Sequence, residues 1–272
     1  MTSLVLLWLG AAVFMALVMS GAWVAQQKTG QGGWADAFWS FGLGIAGVGI
    51  ALFPVDGAPS ARQWVVAALI GFWGARLGSH IAARAAKDKP DARYDKLKDD
   101  WGDQFRLKMF GFLLLQAGAA SVLLLSILLA ARNPAEGALW GLRVQDVIAA
   151  AVLIIAVMGE GIADRQLAAF KRNPDNKGKV CDLGLWAWSR HPNYFFEWLG
   201  WCAWPLFAIN LEPLDLWPWG WLALTAPAYI YWLLNHVSGV PLLEEHMKRT
   251  RPKAFAEYAR RVPPFFPRCP KS

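Results

Sequence analysis

Five side chains of different chemistry lie within eight residues in the C-terminal half of the chain. The stretch 185–201 reads LWAWSRHPNYFFEWLGW, and its polar members are Arg190, His191, Asn193, Tyr194 and Glu197. Asn193 and Glu197 are four residues apart and share one face of a helix. A single His in an apolar setting is usually structural, but this grouping ahead of a carboxylate inside an apolar run indicates a binding or catalytic site. The Trp residues around it are also typical of a membrane interface.

A second polar group precedes this stretch by about 30 residues. The segment GEGIADRQ places Glu160, Asp164 and Arg165 near the end of a long apolar run. Charged side chains at membrane depth are costly, so they are expected to face a polar cavity or one another. The alternative interpretation is a buried ion pair that stabilises helix packing.

Basic residues recur at two further places. The polar loop 171–179 contains Lys171, Arg172, Lys177 and Lys179. An upstream apolar run carries a polar residue at every fourth position: Arg76, His80 and Arg84. Either group alone fits a solvated or interfacial surface, but together they suit a diphosphate or a 2′-phosphate. The run Glu244, Glu245, His246 would by itself be a solvated helix face.

The composition predicts a membrane protein. Of 272 residues 56% are hydrophobic and only 17% are charged, and 17 are Trp, whereas a soluble domain carries about a quarter charged residues. The apolar residues form runs near the roughly 20 residues that cross a bilayer. Seven spans are predicted: Ser3–Val24, Phe38–Phe53, Gln63–Ala85, Leu107–Ala131, Val144–Phe170, Tyr194–Ile209 and Trp219–Val237. The second and sixth spans are short, and Pro205 interrupts the sixth.

Lys and Arg counts orient these spans. With the N-terminus outside and the C-terminus in the cytoplasm, 22 basic residues fall in inside segments and 3 in outside segments. The net charge of +7 therefore reflects topology and needs no nucleic acid. The sequence predicts an all-α, seven-helix membrane bundle that forms one domain over residues 1–272, and a monomer is plausible. Residues 242–261 are expected to form an interfacial amphipathic helix interrupted near Pro252.

Two other patterns carry no chemistry. Cys181, Cys202 and Cys269 lie far apart in the sequence, so neither disulfides nor a metal site are expected. Gly42-Leu-Gly44-Ile-Ala-Gly47 matches the dinucleotide-binding GxGxxG pattern, but it lies in an apolar span and follows no strand. Packing of small residues between helices explains it better.

The polar segments resemble the steroid 5-alpha-reductase superfamily, especially bacterial members of unknown function. The matching pieces are ADRQ at 163–166, FKRNP at 170–174, RHPNYFFE at 190–197, and the tail Glu244-Glu245, Tyr258 and Val262-Pro263-Pro264. The resemblance runs from about residue 60 to the end. The Asn-Tyr-Phe-x-Glu piece is the most specific for reductases, while Arg-His-Pro-x-Tyr is shared with sterol reductases and isoprenylcysteine carboxyl methyltransferases.

The resemblance implies a cytosol-facing cavity for NADPH and reduction of the Δ4 double bond of a 3-oxo-steroid or a similar lipophilic enone. By motif it implies cofactor contacts from Asp164, Lys171, Arg172, Asn173, Lys179, Trp188, Arg190, His191, Asn193, Tyr194 and Glu245. By residue type and position it adds Arg76, His80 and Arg84. The family also polarises the substrate carbonyl with a carboxylate ahead of the second span and a Tyr on the third. Here Asp36 is the nearest carboxylate, and the third span has no Tyr.

Enone reduction requires an acid that hydrogen-bonds the carbonyl oxygen as it becomes enolate-like. The candidates for this catalytic role are Asp36, Tyr194 and Glu197. Two rival hypotheses remain: a lipid-directed methyltransferase using S-adenosylmethionine, and a non-catalytic sterol-binding membrane protein. The basic residues favour a phosphorylated cofactor over adenosylmethionine, which has no phosphate. The expected partners are a lipophilic small molecule and membrane lipid, and the expected location is a bacterial inner membrane.

Overall fold

The chain folds into α-helices, and some of the connections between them contain a 3₁₀ or π segment. The computed structural model describes residues 2–30, 32–55, 57–86, 92–211 and 216–269. The α-helices are α1 (Thr2–Thr29), α2 (Gly33–Leu52), α3 (Ala61–Ala85), α4 (Ala92–Trp101), α5 (Phe105–Ala131), α6 (Val144–Arg172), α7 (Pro192–Trp201), α8 (Ala203–Ala208), α9 (Thr225–Trp232), α10 (Val240–Thr250) and α11 (Pro252–Arg261). Over these ranges no strand forms, so the all-α prediction is confirmed.

Five helices in the described ranges are long and apolar enough to cross a membrane. They are Thr2–Thr29, Gly33–Leu52, Ala61–Ala85, Leu97–Ala131 and Val144–Arg172. Each overlaps one of the first five predicted spans, because an apolar segment in lipid satisfies its backbone hydrogen bonds by becoming helical. The chain is therefore a multi-pass membrane protein.

The last two predicted spans are built from shorter pieces. The sixth breaks at Cys202, between α7 and α8, three residues before Pro205, as expected where a Pro ring clashes with the preceding turn. In the seventh, a 3₁₀ segment at Pro218–Leu224 precedes α9, and a π turn at Leu233–Val237 follows it. Pro227 has no N–H for the Ala223 carbonyl, and Ser126 Oγ donates to that carbonyl instead, at 3.0 Å.

The chain divides into two compact units. The first unit comprises Met1–Val147 and Pro205–Ala223, and the second comprises Ile148–Trp204 and Leu224–Ser272. Within the first unit, α2 packs mainly against α3, and α1 packs against α5. The second unit contains most of α6 together with α7, α9, α10 and α11.

Glycines of the GxGxxG pattern bring α2 close to its neighbours in the first unit. A Cβ on Gly74 of α3 would lie 2.8 Å from Gly44 Cα, so the two backbones are nearly in contact. Side chains at Gly42 and Gly47 would meet Val18 and Ile70 respectively. The prediction that this pattern packs helices is confirmed.

A buried polar cluster joins four helix ends in the first unit. Arg62 Nη2 lies 2.8 Å from Asp146 Oδ2, and Arg143 Nη2 lies 2.7 Å from Asp146 Oδ1. Asn133 Nδ2 donates to Asn210 Oδ1 at 2.8 Å and to the carbonyl oxygens of the last two residues of α8. Arg143 Nη1 also donates to Asn210 Oδ1, at 2.6 Å. The cluster thus ties the starts of α3 and α6 to the ends of α5 and α8.

The C-terminal amphipathic segment breaks at Arg251, next to Pro252, as predicted. α11 buries Phe255 and Tyr258, which form one cluster with Val262 just beyond its end. Val180 and Met247 pack against that cluster. The apolar face of α11 is therefore covered by the chain itself.

Candidate functional site

Two of the polar motifs meet in the second unit. Asn193 Nδ2 donates a hydrogen bond to Asp164 Oδ1 at 3.3 Å, although the residues are 29 positions apart in the sequence. Pro192 occupies the first turn of α7, where the missing N–H of Pro costs nothing, so Asn193 lies at the start of the helix. Its Oδ1 accepts from the N–H of Tyr194 at 3.1 Å. Both side chains are half-buried.

Arg190 and His191 share one carboxylate. Arg190 Nε donates to Glu244 Oε1 at 2.7 Å, and His191 Nε2 lies 3.3 Å from the same oxygen. Burial raises the pKa of Glu244, but the hydrogen bonds to His191 and Arg190 and the charge of Arg190 outweigh it, so the pKa lies below its ordinary value. Glu244 is therefore a carboxylate at neutral pH, and it fixes the start of α7 against α10.

Arg190 is also bound to the backbone that ends α11. Its Nη1 donates to the carbonyl oxygens of Ala259 and Val262, at 3.2 and 2.9 Å. Its own N–H donates to the carbonyl of Pro263 at 2.9 Å. The guanidinium thus donates three hydrogen bonds within the chain, from Nε and Nη1, and these bonds position the 189–193 segment.

The C-terminal segment holds the turn ahead of Arg190 by further bonds. Tyr258 Oη donates to the Trp186 carbonyl at 2.6 Å, and Ser189 Oγ donates to the Phe265 carbonyl at 2.8 Å. Burial raises the pKa of Tyr258 strongly, so its phenol remains a donor. Residues 258–265 therefore determine where the Arg-His-Pro-Asn motif lies.

Tyr194 and Glu197 also belong to the second unit. The Tyr194 ring stacks on the His191 imidazole, with centroids 5.6 Å apart. Glu197 Oε1 accepts from Trp201 Nε1 at 2.8 Å, one turn further along α7. Glu160, on α6, is 6% exposed. The part of α6 in the second unit and α7 thus carry three acidic side chains, Glu160, Asp164 and Glu197.

The predicted phosphate-binding residues of this unit lie at its surface. Lys171, Arg172, Asn173 and Lys179 are all exposed at the end of α6 and in the loop that follows. Asn173 also has a local role, since its Oδ1 accepts from the N–H of Asp175 at 3.0 Å. Glu245 is exposed, whereas its neighbour Glu244 is the residue that pairs with Arg190.

Trp188 lies away from the Asp164–Asn193 contact. It is 48% exposed and lines an apolar groove with Met158, Ile162 and Phe196. On a helix, Ile162 points about 160° away from Asp164, because successive residues turn by about 100°. The groove and the polar contact therefore occupy different faces of α6.

The remaining predicted residues belong to the first unit. Asp36 lies in the first turn of α2 and is half-buried. Arg76 is half-buried on α3, and His80 and Arg84 are exposed on the same helix at intervals of four residues. The stripe on one helix face is present as predicted.

Glu244 and Gln166 belong to the matching motif pieces, but the sequence assigned neither of them a role. Glu244 is three and four positions from Met247 and Val240, which are both packed inward, and this periodicity distinguishes it from Glu245. Gln166 Oε1 accepts from the N–H of Leu185 at 2.9 Å. No pattern indicated that contact, because it depends on how the 184–188 turn folds back on α6.

Comparison with known protein families gives a match. A family model covers residues 22–262, beginning well before the motif resemblance does. Neither a curated protein nor a solved structure matches the chain. Because the match spans most of the sequence, the chain belongs to the family described as "Protein of unknown function (DUF1295)".

Proposed function

We propose that this protein is an NADPH-dependent membrane reductase of the steroid 5-alpha-reductase type. Its substrate would be the Δ4 double bond of a 3-oxo-steroid or a similar lipophilic enone. The proposed topology has seven spans, with the N-terminus outside and the C-terminus in the cytoplasm of a bacterial inner membrane. The observation that carries the proposal is the Asn193–Asp164 contact. It joins two of the motif pieces, and the second of them also carries the Arg190–Glu244 pair.

The residues of the second unit have the chemistry to bind nicotinamide adenine dinucleotide phosphate. An amide beside a carboxylate, as in Asn193 and Asp164, offers both a donor and acceptors to a carboxamide. Lys171, Arg172 and Lys179 are exposed cations within nine residues of one another, as phosphate groups require. Arg190 and His191 would act indirectly, by holding Asn193 in place. Bound NADPH would supply the hydride.

The carbonyl of the enone needs a hydrogen-bond donor from the chain. Donation to that oxygen stabilises the enolate-like transition state more than the ground state, which is what accelerates the reaction. Tyr194 adjoins Asn193 and carries a phenol. Glu197 is held by Trp201, and Asp36 begins α2 in the first unit. We rank Tyr194 first because a neutral phenol is a donor without needing an unusual protonation state.

The direct test uses purified protein in lipid nanodiscs with NADPH and testosterone or progesterone. The expected result is a 5α-reduced product by mass spectrometry, with matching loss of the near-ultraviolet absorbance of reduced nicotinamide. Lys171→Gln combined with Lys179→Gln should raise the KM for NADPH about ten-fold, since one or two charge-assisted hydrogen bonds are lost. Lys253→Gln, an exposed position on α11, is the matched control and should leave KM unchanged.

Two results would contradict the proposal. One is the absence of product with every enone steroid tried, together with no measurable NADPH binding. The other is copurification of S-adenosylmethionine, which would favour the methyltransferase. Where product forms, Tyr194→Phe, Glu197→Gln and Asp36→Asn identify the carbonyl partner, because the loss of that donor lowers kcat. NADPH affinity is measured in parallel, since Tyr194 is also an expected cofactor contact.

A further inference from the structure

An open apolar groove of ≈ 440 Å³ runs along α6 in the second unit. Ile155, Met158, Ile162 and Gln166 recur at intervals of three or four residues and form its floor. From Ile155 to Gln166 the floor extends over about 16 Å of helix. Ligand pockets in proteins have volumes of about 300–1,000 Å³, so the groove is large enough for an occupant.

Two glycines shape the walls of this groove. A side chain on Gly159 would overlap the ring of Phe196, so the ring sits directly on the α6 backbone. Gly184 has a φ of +59°, and a side chain there would overlap the amide of Gln166. That amide oxygen accepts from the N–H of Leu185 at 2.9 Å. The walls are therefore held by packing and by a hydrogen bond.

The groove opens onto an exposed apolar face of α6. Large apolar side chains are exposed along one stripe of α6, and they include Val144, Ile148, Ile155, Met158 and Ile162. Because α6 is long and apolar enough to cross the membrane, we expect acyl chains to contact this stripe. The groove shares Ile155, Met158 and Ile162 with this stripe and is therefore open to the same surroundings.

A cation stands at the end of the stripe. Arg165 is exposed and lies seven residues, two helical turns, beyond Met158 on the same face. Its guanidinium suits a phosphate oxygen. Because Arg165 lies near the end of a candidate span, we expect a lipid headgroup at its depth.

We propose that the groove binds one acyl chain of an anionic membrane phospholipid, whose phosphate is held by Arg165. Apolar side chains contact the acyl chain over the length of the floor, and Phe196 and Trp188 flank it. The site lies on the opposite face of α6 from Asp164, so it is separate from the proposed reductase site and does not depend on that activity.

Native mass spectrometry after extensive detergent exchange tests the proposal. The wild-type protein should retain one phospholipid and should prefer phosphatidylglycerol over phosphatidylcholine of the same chain length. Met158→Trp fills the groove and should reduce retention at least ten-fold. Ile148→Trp adds the same bulk to an exposed position of α6 outside the groove and should retain lipid as the wild type does. Arg165→Gln should lower the preference for phosphatidylglycerol about five-fold, as expected for one cation near an anionic surface.

Equal retention by Met158→Trp and the wild type would overturn the proposal, as would a wild type that retains no lipid. Loss of lipid from Ile148→Trp to the same extent would overturn the groove as the site. Thermal unfolding of each variant is measured in parallel. If Met158→Trp fails to fold, Ile162→Trp blocks the same floor and is subject to the same criteria.

Discussion

Arg190 and Glu244 form an ion pair between segments 54 residues apart, with Nε and Oε1 separated by 2.7 Å. The same guanidinium donates to the carbonyls of Ala259 and Val262. The arginine of the Arg-His-Pro-Asn motif therefore joins the start of α7 to α10 and to the end of α11. A substitution in the C-terminal segment is expected to displace Asn193 without touching it.

Glu244→Gln should destabilise the protein by about 2 kcal/mol. The variant keeps the shape of the side chain but leaves the largely buried Arg190 without a counter-charge, and such unpaired groups are costly. The measurement is thermal unfolding in detergent. Glu245→Gln is the matched control, since Glu245 is exposed on the same helix, and its effect should stay within about 0.5 kcal/mol. Equal effects at the two positions would contradict the assigned pairing.

The same carboxylate predicts a loss of stability in acid. The pKa of Glu244 is below its ordinary value of 4.5 because its hydrogen bonds to His191 and Arg190 and the charge of Arg190 outweigh the effect of burial. The unfolded chain therefore binds a proton at Glu244 before the folded chain does. Its contribution is complete above pH 4.5 and is lost as the pH falls from there through the lower folded value. The difference in unfolding temperature between wild type and Glu244→Gln should shrink over that range, and a constant difference would argue against the pair.

Hydropathy predicted most of the fold. The first five spans follow from apolar run length alone, because lipid leaves a long apolar segment no alternative to a helix. The break before Pro205 followed from the chemistry of Pro. The π turn at Leu233–Val237 lies within the seventh predicted span. No residue pattern in the sequence predicted it.

Pairing within the sites was harder to predict than their location. The motif pointed to Arg190, His191 and Asn193 as one group, and all three lie in the second unit. The motif did not predict that Arg190 donates hydrogen bonds to Glu244 and to backbone carbonyls, because those partners come from residues 244–262. Counting basic residues likewise could not show that Arg62, which directly precedes the third predicted span, is 4% exposed and paired with Asp146.

Asp146→Asn should be among the most damaging single substitutions in the first unit. Asp146 is 1% exposed and accepts hydrogen bonds from both Arg62 and Arg143. Its loss leaves two arginine side chains facing a neutral amide, and breaking a buried pair costs about 3–5 kcal/mol. We expect a large fall in unfolding temperature or in yield from membranes. Glu136→Gln, at an exposed site in the connection between α5 and α6, should behave as the wild type. A small effect of Asp146→Asn would mean that the carbonyl acceptors alone satisfy the arginines.

Gly159→Ala should loosen the packing of α6 against α7. The added methyl group would overlap the ring of Phe196, and such overpacking costs about 1–3 kcal/mol. Gly118→Ala on α5 is the matched control, since a Cβ there meets nothing within 4 Å, and replacing a helical Gly by Ala should be neutral or slightly stabilising.

Combining Gly159→Ala with Phe196→Ala separates overlap from helix propensity. If the ring is the obstacle, the double variant is more stable than the sum of the two single effects predicts, measured by thermal unfolding. Strict additivity would show that α6 and α7 do not meet at this point.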